Sequence, residues 1–452
     1  VIPRLVIAGT HSGVGKTTVA TGLLAALARR GERPAGFKVG PDFIDPSYHA
    51  LATGRAGRNL DAFLSGPELI APLFAHGARG AGVAVVEGVM GLFDGASGRG
   101  ELASTAHVAK LLRAPVVLVV DARAMARSAA AVVHGFATYD RGTRIGGVIL
   151  NHVGSRWHEE LLRDALEPLG MPVLGVLARD DAVVAPERHL GLVPAAEREE
   201  RARAAIDRLA DVVAAGCDVE ALLALARSAP ALDAAPWAPA VEPVADARVA
   251  VAAGPAFTFR YEENLELLRA AGAEPCPFDP LVDDTLPPGT GGVYLGGGFP
   301  EVFGAQLSDN WALRSEVAAF ARAGRPILAE CGGLLYLCRQ LDGRPMCGVL
   351  DADGRLGDRL TLGYREATAA SASAAFAAGD VLRGHEFHYS TVAPTSGDQP
   401  AWTLRARGEQ RVEGFVAAGV HASFLHTHWA ATPQVAARFA AAAAAVPARA
   451  VA

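Results

Sequence analysis

Along the first half of the chain, apolar residues fall in short continuous runs rather than in an alternating pattern. "RLVIAG" (4–9), "PAGFKVG" (34–40), "GVAVVEG" (82–88), "APVVLVVDA" (114–122), "IGGVILNHV" (145–153) and "MPVLGVL" (171–177) each read as a strand buried on both faces. "GKTTVATGLLAALARRG" (15–31), between the first two runs, reads as a helix ending at Gly31. Strands that alternate with helical stretches predict a doubly wound α/β domain around a parallel sheet. The period weakens from about residue 205, and "APALDAAPWAPAVEPVADA" (229–247), rich in Ala and Pro, reads as a linker. A second α/β pattern opens at "ARVAVAAG" (247–254). It continues through "GGVYLGGG" (291–298), "RPILAECGG" (325–333) and "GFVAAGVHASFLH" (414–426), and "VAARFAAAAAAV" (435–446) reads as a terminal helix. The expected division is a first domain at 1–225, a linker at 226–246 and a second domain at 247–452.

Composition narrows the function. A chain of 452 residues is too long for one hydrophobic core, which supports two domains. With 51% hydrophobic and 20% charged residues it fits a globular protein. A formal net charge of −6 and the lack of a basic run argue against a general nucleic-acid binder. No apolar run reaches membrane-spanning length, and "VIPRLVIAGT" carries no basic leader or cleavage site. Five scattered cysteines make neither a disulfide framework nor a zinc pair, so a reducing cytoplasm is the expected setting.

The first chemical motif is "GTHSGVGKTT" (9–18), between a strand and a helix. That context is what a phosphate-binding loop requires. Gly13 and Gly15 let backbone N–H groups turn toward a phosphate at the helix N-terminus, where Thr18 also stands. Lys16 can reach the β- and γ-phosphates of ATP, and Thr17 can ligate Mg²⁺. Acidic residues follow the second and third strands: Asp42 and Asp45 in "FKVGPDFIDPSYH", Glu87 and Asp94 in "VVEGVMGLFDG". Ligands of open α/β sheets sit beyond the carboxyl ends of the strands, so both loops face the phosphate site. Asn151, at the end of "GGVILN", is a candidate reader of the adenine edge or a plain strand-end turn. "ERHLGLVPAAE" (187–197) is a further candidate for covering the base.

The second motif is "PILAECGGLLYL" (326–337): a strand, then Cys331, then Gly332 and Gly333, then a helix. This is the pattern of a nucleophile elbow, and the helix N-terminus is expected to lower the thiol pKa. "SFLHTHW" (423–429) offers His426 as a base. Backbone N–H groups near Gly297 or Gly298, with that of Gly332, are candidates for an oxyanion hole. "RGHEFHYS" (383–390) is not HExxH, so a zinc-protease reading fails, and its role stays open between a substrate-facing, a domain-contact and a structural one.

The phosphate loop resembles that of dethiobiotin synthetase, in which ATP activates a carboxylate. It also resembles the ParA/MinD-like ATPases, but His11 stands where those carry a lysine. The second half resembles class I glutamine amidotransferases, with His428 in place of the glutamate that orients the base. Taken in order, "GTHSGVGKTT", "FKVGPDFIDP", "RNLD", "EGVMGLFDG", "ERHLGLV", "LGGGFPE", "AECGGLLYL", "RGHEFHYS" and "SFLHTHW" resemble the cobyrinate or hydrogenobyrinate a,c-diamide synthases of the cobalamin pathway. The resemblance implies a dethiobiotin synthetase-like domain followed by a glutamine amidotransferase domain. It implies ATP, Mg²⁺ and glutamine, a corrinoid substrate (hydrogenobyrinate or cobyrinate), and a homodimer. Cys331 and His426 would release ammonia. Gly13, Gly15, Lys16, Thr17, Thr18 and Asn151 would hold ATP, and Thr17, Asp42 and Glu87 the metal. Asp45, Asp94, Gly297, Gly298 and Gly332 would serve substrate or oxyanion. The alternatives are an amidotransferase for another tetrapyrrole, such as nickel-sirohydrochlorin, and a ParA/MinD-like ATPase.

Overall fold

The computed structural model describes residues 2–179, 187–188, 191–192, 199–244, 246–406 and 408–445. It divides into two compact units, Val1–Ala238 and Pro239–Ala452.

The first unit is built on a seven-stranded sheet of β1 (Arg4–Gly9), β2 (Pro34–Val39), β3 (Arg58–Leu60), β4 (Val83–Glu87), β5 (Val116–Asp121), β6 (Ile145–Val153) and β7 (Val173–Ala178). The spatial order is β3-β2-β4-β1-β5-β6-β7, with parallel pairing throughout. The uninterrupted apolar runs follow from this: β1, β2 and β4 are buried along their whole length, because helices cover both faces. Their carboxyl ends bring the loops after β1, β2 and β4 to one edge of the sheet. From β1 the chain enters the phosphate loop and then α1 (Lys16–Arg29). A helix over Glu199–Gly216 packs so tightly on α1 that a Cβ on Gly22 would stand 2.6 Å from Leu209 O. This helix fills the stretch where the sequence period weakens. Its buried positions are Ala202, Ala205, Ile206, Leu209, Ala210 and Val213, a true helical period written half in alanine.

The second unit has a six-stranded sheet. Its order is Ala273–Phe278, Ala247–Ala252, Gly292–Leu295, Ile327–Glu330, Val420–Ser423, Phe415–Ala417, parallel except for the last pair. Beside it stands a five-stranded antiparallel sheet in the order Glu409–Glu413, Trp402–Ala406, Thr361–Ala369, Val381–His388, His426–Thr427. The strand pattern alone did not announce this second sheet. It gives the "RGHEFHYS" segment a place, as the strand that pairs with His426–Thr427. A helix over Gln434–Ala444 closes the described chain.

Candidate active sites

The phosphate loop takes its shape from residues that a Cβ would obstruct. Gly15 has φ 95°, and a Cβ there would lie 2.2 Å from the Asn151 amide nitrogen; Gly13, at φ 79°, also needs left-handed backbone. Asn151 itself is buried and donates from Nδ2 to Val14 O at 2.9 Å, while its Oδ1 accepts from His152 N. Its side chain thus braces the loop from β6, a different task from reading a base edge. Lys16 curls back to donate to His11 O at 3.0 Å. Its pKa falls to about 8, mainly through burial and then through the nearby Lys38 charge.

Behind the loop lies a buried charge cluster. Lys38, at the end of β2, extends Nζ to 2.5 Å from Asp45 Oδ2, 2.9 Å from Glu87 Oε1 and 3.1 Å from Gly88 O. Thr17 Oγ1 donates to Glu87 Oε1 at 2.6 Å and lies 3.4 Å from Asp45 Oδ2. His49 Nε2 stands 2.8 Å from the other Glu87 oxygen. Burial works against both Lys38 and Glu87 as ions, but attraction wins: Asp45, then Glu87 and Asp42, act on Lys38, and Lys38, then His49 and Thr17, act on Glu87. The ammonium is raised and the carboxyl is held below its usual range. Asp45 is pushed up, by burial first and then by Asp42 and Glu87.

The acids expected at the metal are sorted differently by this geometry. Asp45, not Asp42, joins Glu87 beside Thr17. Asp42 accepts from Ile44 N at 2.7 Å and Asp45 N at 3.3 Å, capping the helix Ile44–Thr53, and its carboxylate is 4.0 Å from Lys38. Asp94 Oδ2 accepts from Gly91 N at 2.9 Å, tying off the loop that crosses Gly9 through Leu92 N→Gly9 O. Among the described residues, no group of three or more His, Cys, Asp or Glu is arranged to hold a metal by itself. The donors beside the loop are all oxygen: a hydroxyl and carboxylates. That suits Mg²⁺ held jointly by protein, phosphate and water. Lys38 and His49 are functional candidates given no role from the sequence; the signal was their place in "FKVGPDFIDPSYH", one on the strand and one on the helix behind it. "ERHLGLVPAAE" is described only as the short antiparallel pair Glu187–Arg188 and Gly191–Leu192, and the rest lies outside the described residues.

In the second unit Cys331 sits between the strand Ile327–Glu330 and the helix Gly332–Leu337 with φ 49° and ψ −100°. A non-glycine residue in this region costs about 1–3 kcal/mol and marks a nucleophile elbow. Glycines let the surrounding backbone close in. A Cβ on Gly333 would lie 2.4 Å from Leu295 O, and one on Gly332 would lie 3.0 Å from Gly298 N. A Cβ on Gly297 would lie 2.3 Å from His426 Cε1. The Gly297–Gly298 backbone is therefore flanked by Gly332, next to Cys331, and by His426. The expected oxyanion set is corrected at one position: Gly297 N–H is spent on Phe259 O at 2.9 Å, so the backbone candidates are Gly298 and Gly332.

The expected acidic thiol is also corrected. Burial pushes the Cys331 thiol well up, the charges of Glu301, Glu330 and Glu386 add to this, and the Gly332 N–H opposes it too weakly. A six-residue helix contributes little against full burial. Burial, with His388 nearby, lowers His426 to about 3, so the resting pair is neutral thiol and neutral imidazole. Glu330 and Thr427 connect the two. Glu330 Oε1 accepts from Thr427 N at 3.1 Å and from Thr427 Oγ1 at 2.7 Å, and Oε2 accepts from Tyr294 at 3.0 Å. His428 is turned to Glu263, with Nε2 3.5 Å from Oε2, and its Nδ1 accepts from Ala430 N.

Two family models match the chain. Residues 5–193 match the CobQ/CobB/MinD/ParA nucleotide binding domain, and 248–434 match the CobB/CobQ-like glutamine amidotransferase domain. The chain is 59% identical to the hydrogenobyrinate a,c-diamide synthase of Streptomyces coelicolor, with 97% of each chain covered. It is 54% identical to the enzyme of the same name from Thermobifida fusca (98% of this chain, 97% of the relative). It is 44% identical to the cobyrinate a,c-diamide synthase of Synechococcus (95% and 96%). The chain belongs to the hydrogenobyrinate and cobyrinate a,c-diamide synthase family. It is accordingly a glutamine-dependent, amide-forming ligase with an ATP-using nucleotide-binding domain, and both halves of the expected fold are present. Among the described residues no helix is long and apolar enough to cross a membrane.

Proposed function

We propose that this protein amidates the a and c side-chain carboxylates of hydrogenobyrinate, spending ATP to activate each carboxylate and glutamine to supply each nitrogen. One observation carries the reading: a single chain holds both a phosphate loop backed by carboxylates and a strained cysteine at a strand–helix turn, with the buried His426 ring against the neighbouring Gly297. The metal-free substrate is favoured because five relatives at 52–59% identity bear the hydrogenobyrinate name, while three at 42–44% bear the cobyrinate name.

A carboxylate is a poor acyl donor because its leaving group is oxide; transfer of the γ-phosphoryl group gives an acyl phosphate, from which phosphate departs when ammonia attacks. Lys16 and the N–H groups of Gly13 and Gly15 would hold the transferring phosphates. Thr17, Glu87 and Asp45 would hold Mg²⁺, which when bound offsets phosphate charge. Lys38 keeps Glu87 ionised and aimed at Thr17. In the second unit Cys331 Sγ attacks the glutamine amide carbon and its proton passes to His426. The imidazolium gives that proton to the departing ammonia, and water attack on the thioester frees glutamate. Gly298 and Gly332 would donate to the oxyanion. A homodimer belongs to this reading through the family resemblance alone, and a cytoplasmic location through the scattered cysteines.

Incubation with ATP, Mg²⁺ and glutamine, with hydrogenobyrinate, cobyrinate and nickel-sirohydrochlorin offered separately, tests it by mass spectrometry. The expected result is a diamide from hydrogenobyrinate at the highest kcat/KM. Preference for another macrocycle overturns the substrate assignment, and no amidation of any of them overturns the function.

A further inference from the structure

The segment "RGHEFHYS" lies directly against the base. His385 and His426 are paired residues of adjacent antiparallel strands. Their rings are parallel within 14°, with centroids 4.9 Å apart, and both are fully buried. His385 is itself held: the Tyr261 hydroxyl is 2.9 Å from its Nε2. Three residues further on, His388 stacks on Phe424, centroids 3.8 Å apart and planes within 9°. Glu386, between them, is anchored by Arg365 and Arg411, each at 2.5 Å. The strand is thus a fixed backing for the base.

We propose that His385 is the positioning residue of His426: the stacked ring takes over the orienting task that a carboxylate performs in a Cys-His-acid triad. The residue two places after the base, where the acid would stand, is His428, and it faces Glu263 instead. A carboxylate orients an imidazole by accepting from its N–H. A parallel ring orients it by closing off the tilt out of plane, while Glu330, gripping Thr427, fixes the backbone next to it. Such a device sets direction through ring contact, while the ionised Glu386 on the same strand favours the imidazolium from a distance. The inference rests on His426 being the general base.

The test uses the full-length protein and compares His385→Leu, His385→Phe and His426→Ala in glutamate release and in amidation driven by free ammonia. The Leu variant is expected to lose at least ~30-fold in glutamine kcat with KM changed less than ~3-fold, and to keep ammonia-dependent amidation within ~2-fold. The Phe variant, which keeps a flat ring, is expected to recover kcat to within ~5-fold of wild type. A Leu variant with wild-type kcat overturns the proposal. So does a Leu variant that loses ammonia-dependent amidation equally, or a Phe variant as poor as Leu. If His426→Ala itself leaves glutamine kcat unchanged, the base assignment is what fails.

Discussion

Glu330 accepts two hydrogen bonds from Thr427, at 3.1 Å from the backbone N–H and 2.7 Å from the hydroxyl. Because Glu330 precedes Cys331 and Thr427 follows His426, this contact ties the proposed nucleophile to the proposed base. Glu330→Gln keeps an acceptor toward Thr427 and is expected to retain glutaminase activity within ~5-fold. Glu330→Ala leaves buried donors unpaired, at about 1–3 kcal/mol, and is expected to lose kcat by ~10²-fold. Steady-state glutamate release checks both.

Glu330 and Glu413 also predict a pH dependence of stability. Burial raises each to about 7, against an ordinary glutamate value of 4.5. The folded state therefore holds more protons than the unfolded state between these values. The stability they contribute is full below about 4.5 and is lost as pH rises through about 7. Glu413→Gln is expected to flatten the fall in unfolding free energy across that window, measured by denaturant titration at several pH values.

Gly297 lies against His426, the proposed base. A methyl group there would lie 2.3 Å from His426 Cε1 and must displace the ring. Gly297→Ala is expected to cut glutamine-dependent synthesis by ~10²-fold and leave ammonia-dependent synthesis near wild type. Parallel assays with the two nitrogen sources distinguish the outcomes.

Lys38 Nζ lies between two buried carboxyl groups in the first unit, Asp45 at 2.5 Å and the ionised Glu87 at 2.9 Å. Lys38→Met is expected to cost about 3–5 kcal/mol through the charges left unpaired. Added Mg²⁺ is expected to return more thermal stability to this variant than it gives wild type, because the cation can take the vacated place between Asp45 and Glu87. Unfolding midpoints with and without Mg²⁺ measure this.

Cys331 and His426, the proposed glutaminase pair, are un-ionised at rest, since burial raises the Cys331 thiol and lowers His426 to about 3. Alkylation of Cys331 by iodoacetamide without glutamine is expected to be slow at pH 7 and to rise through pH 9 with no plateau. Peptide mapping by mass spectrometry follows it. A plateau near neutral pH would show a preformed thiolate.

Much of this was legible in the chain. The buried strands announced themselves as unbroken apolar runs, and the phosphate loop and cysteine elbow as glycines at set places between a strand and a helix. The helix Glu199–Gly216 was hard to see because alanine supplies much of its apolar face. The role of Asp42 as a helix cap, and of Asp45 as the neighbour of Thr17, depends on the turn of a helix that spacing alone does not orient. The depressed thiol pKa expected at Cys331 failed because a motif shows the helix N-terminus but not the depth of burial. Neither Glu330 gripping Thr427 nor His385 stacked on His426 could be read locally, since each joins segments brought together only by strand register.

The central claim is that nitrogen leaves glutamine at Cys331 and reaches carboxylates activated at the phosphate loop. Its most direct measurement follows hydrogenobyrinate amidation from amide-¹⁵N glutamine by mass spectrometry, in wild type, Cys331→Ala and Lys16→Ala. Wild type should yield a diamide labelled at both new amides. Cys331→Ala should amidate only from added ammonia, and Lys16→Ala from neither source. A Cys331→Ala protein that still transfers the label at the wild-type rate would contradict the account.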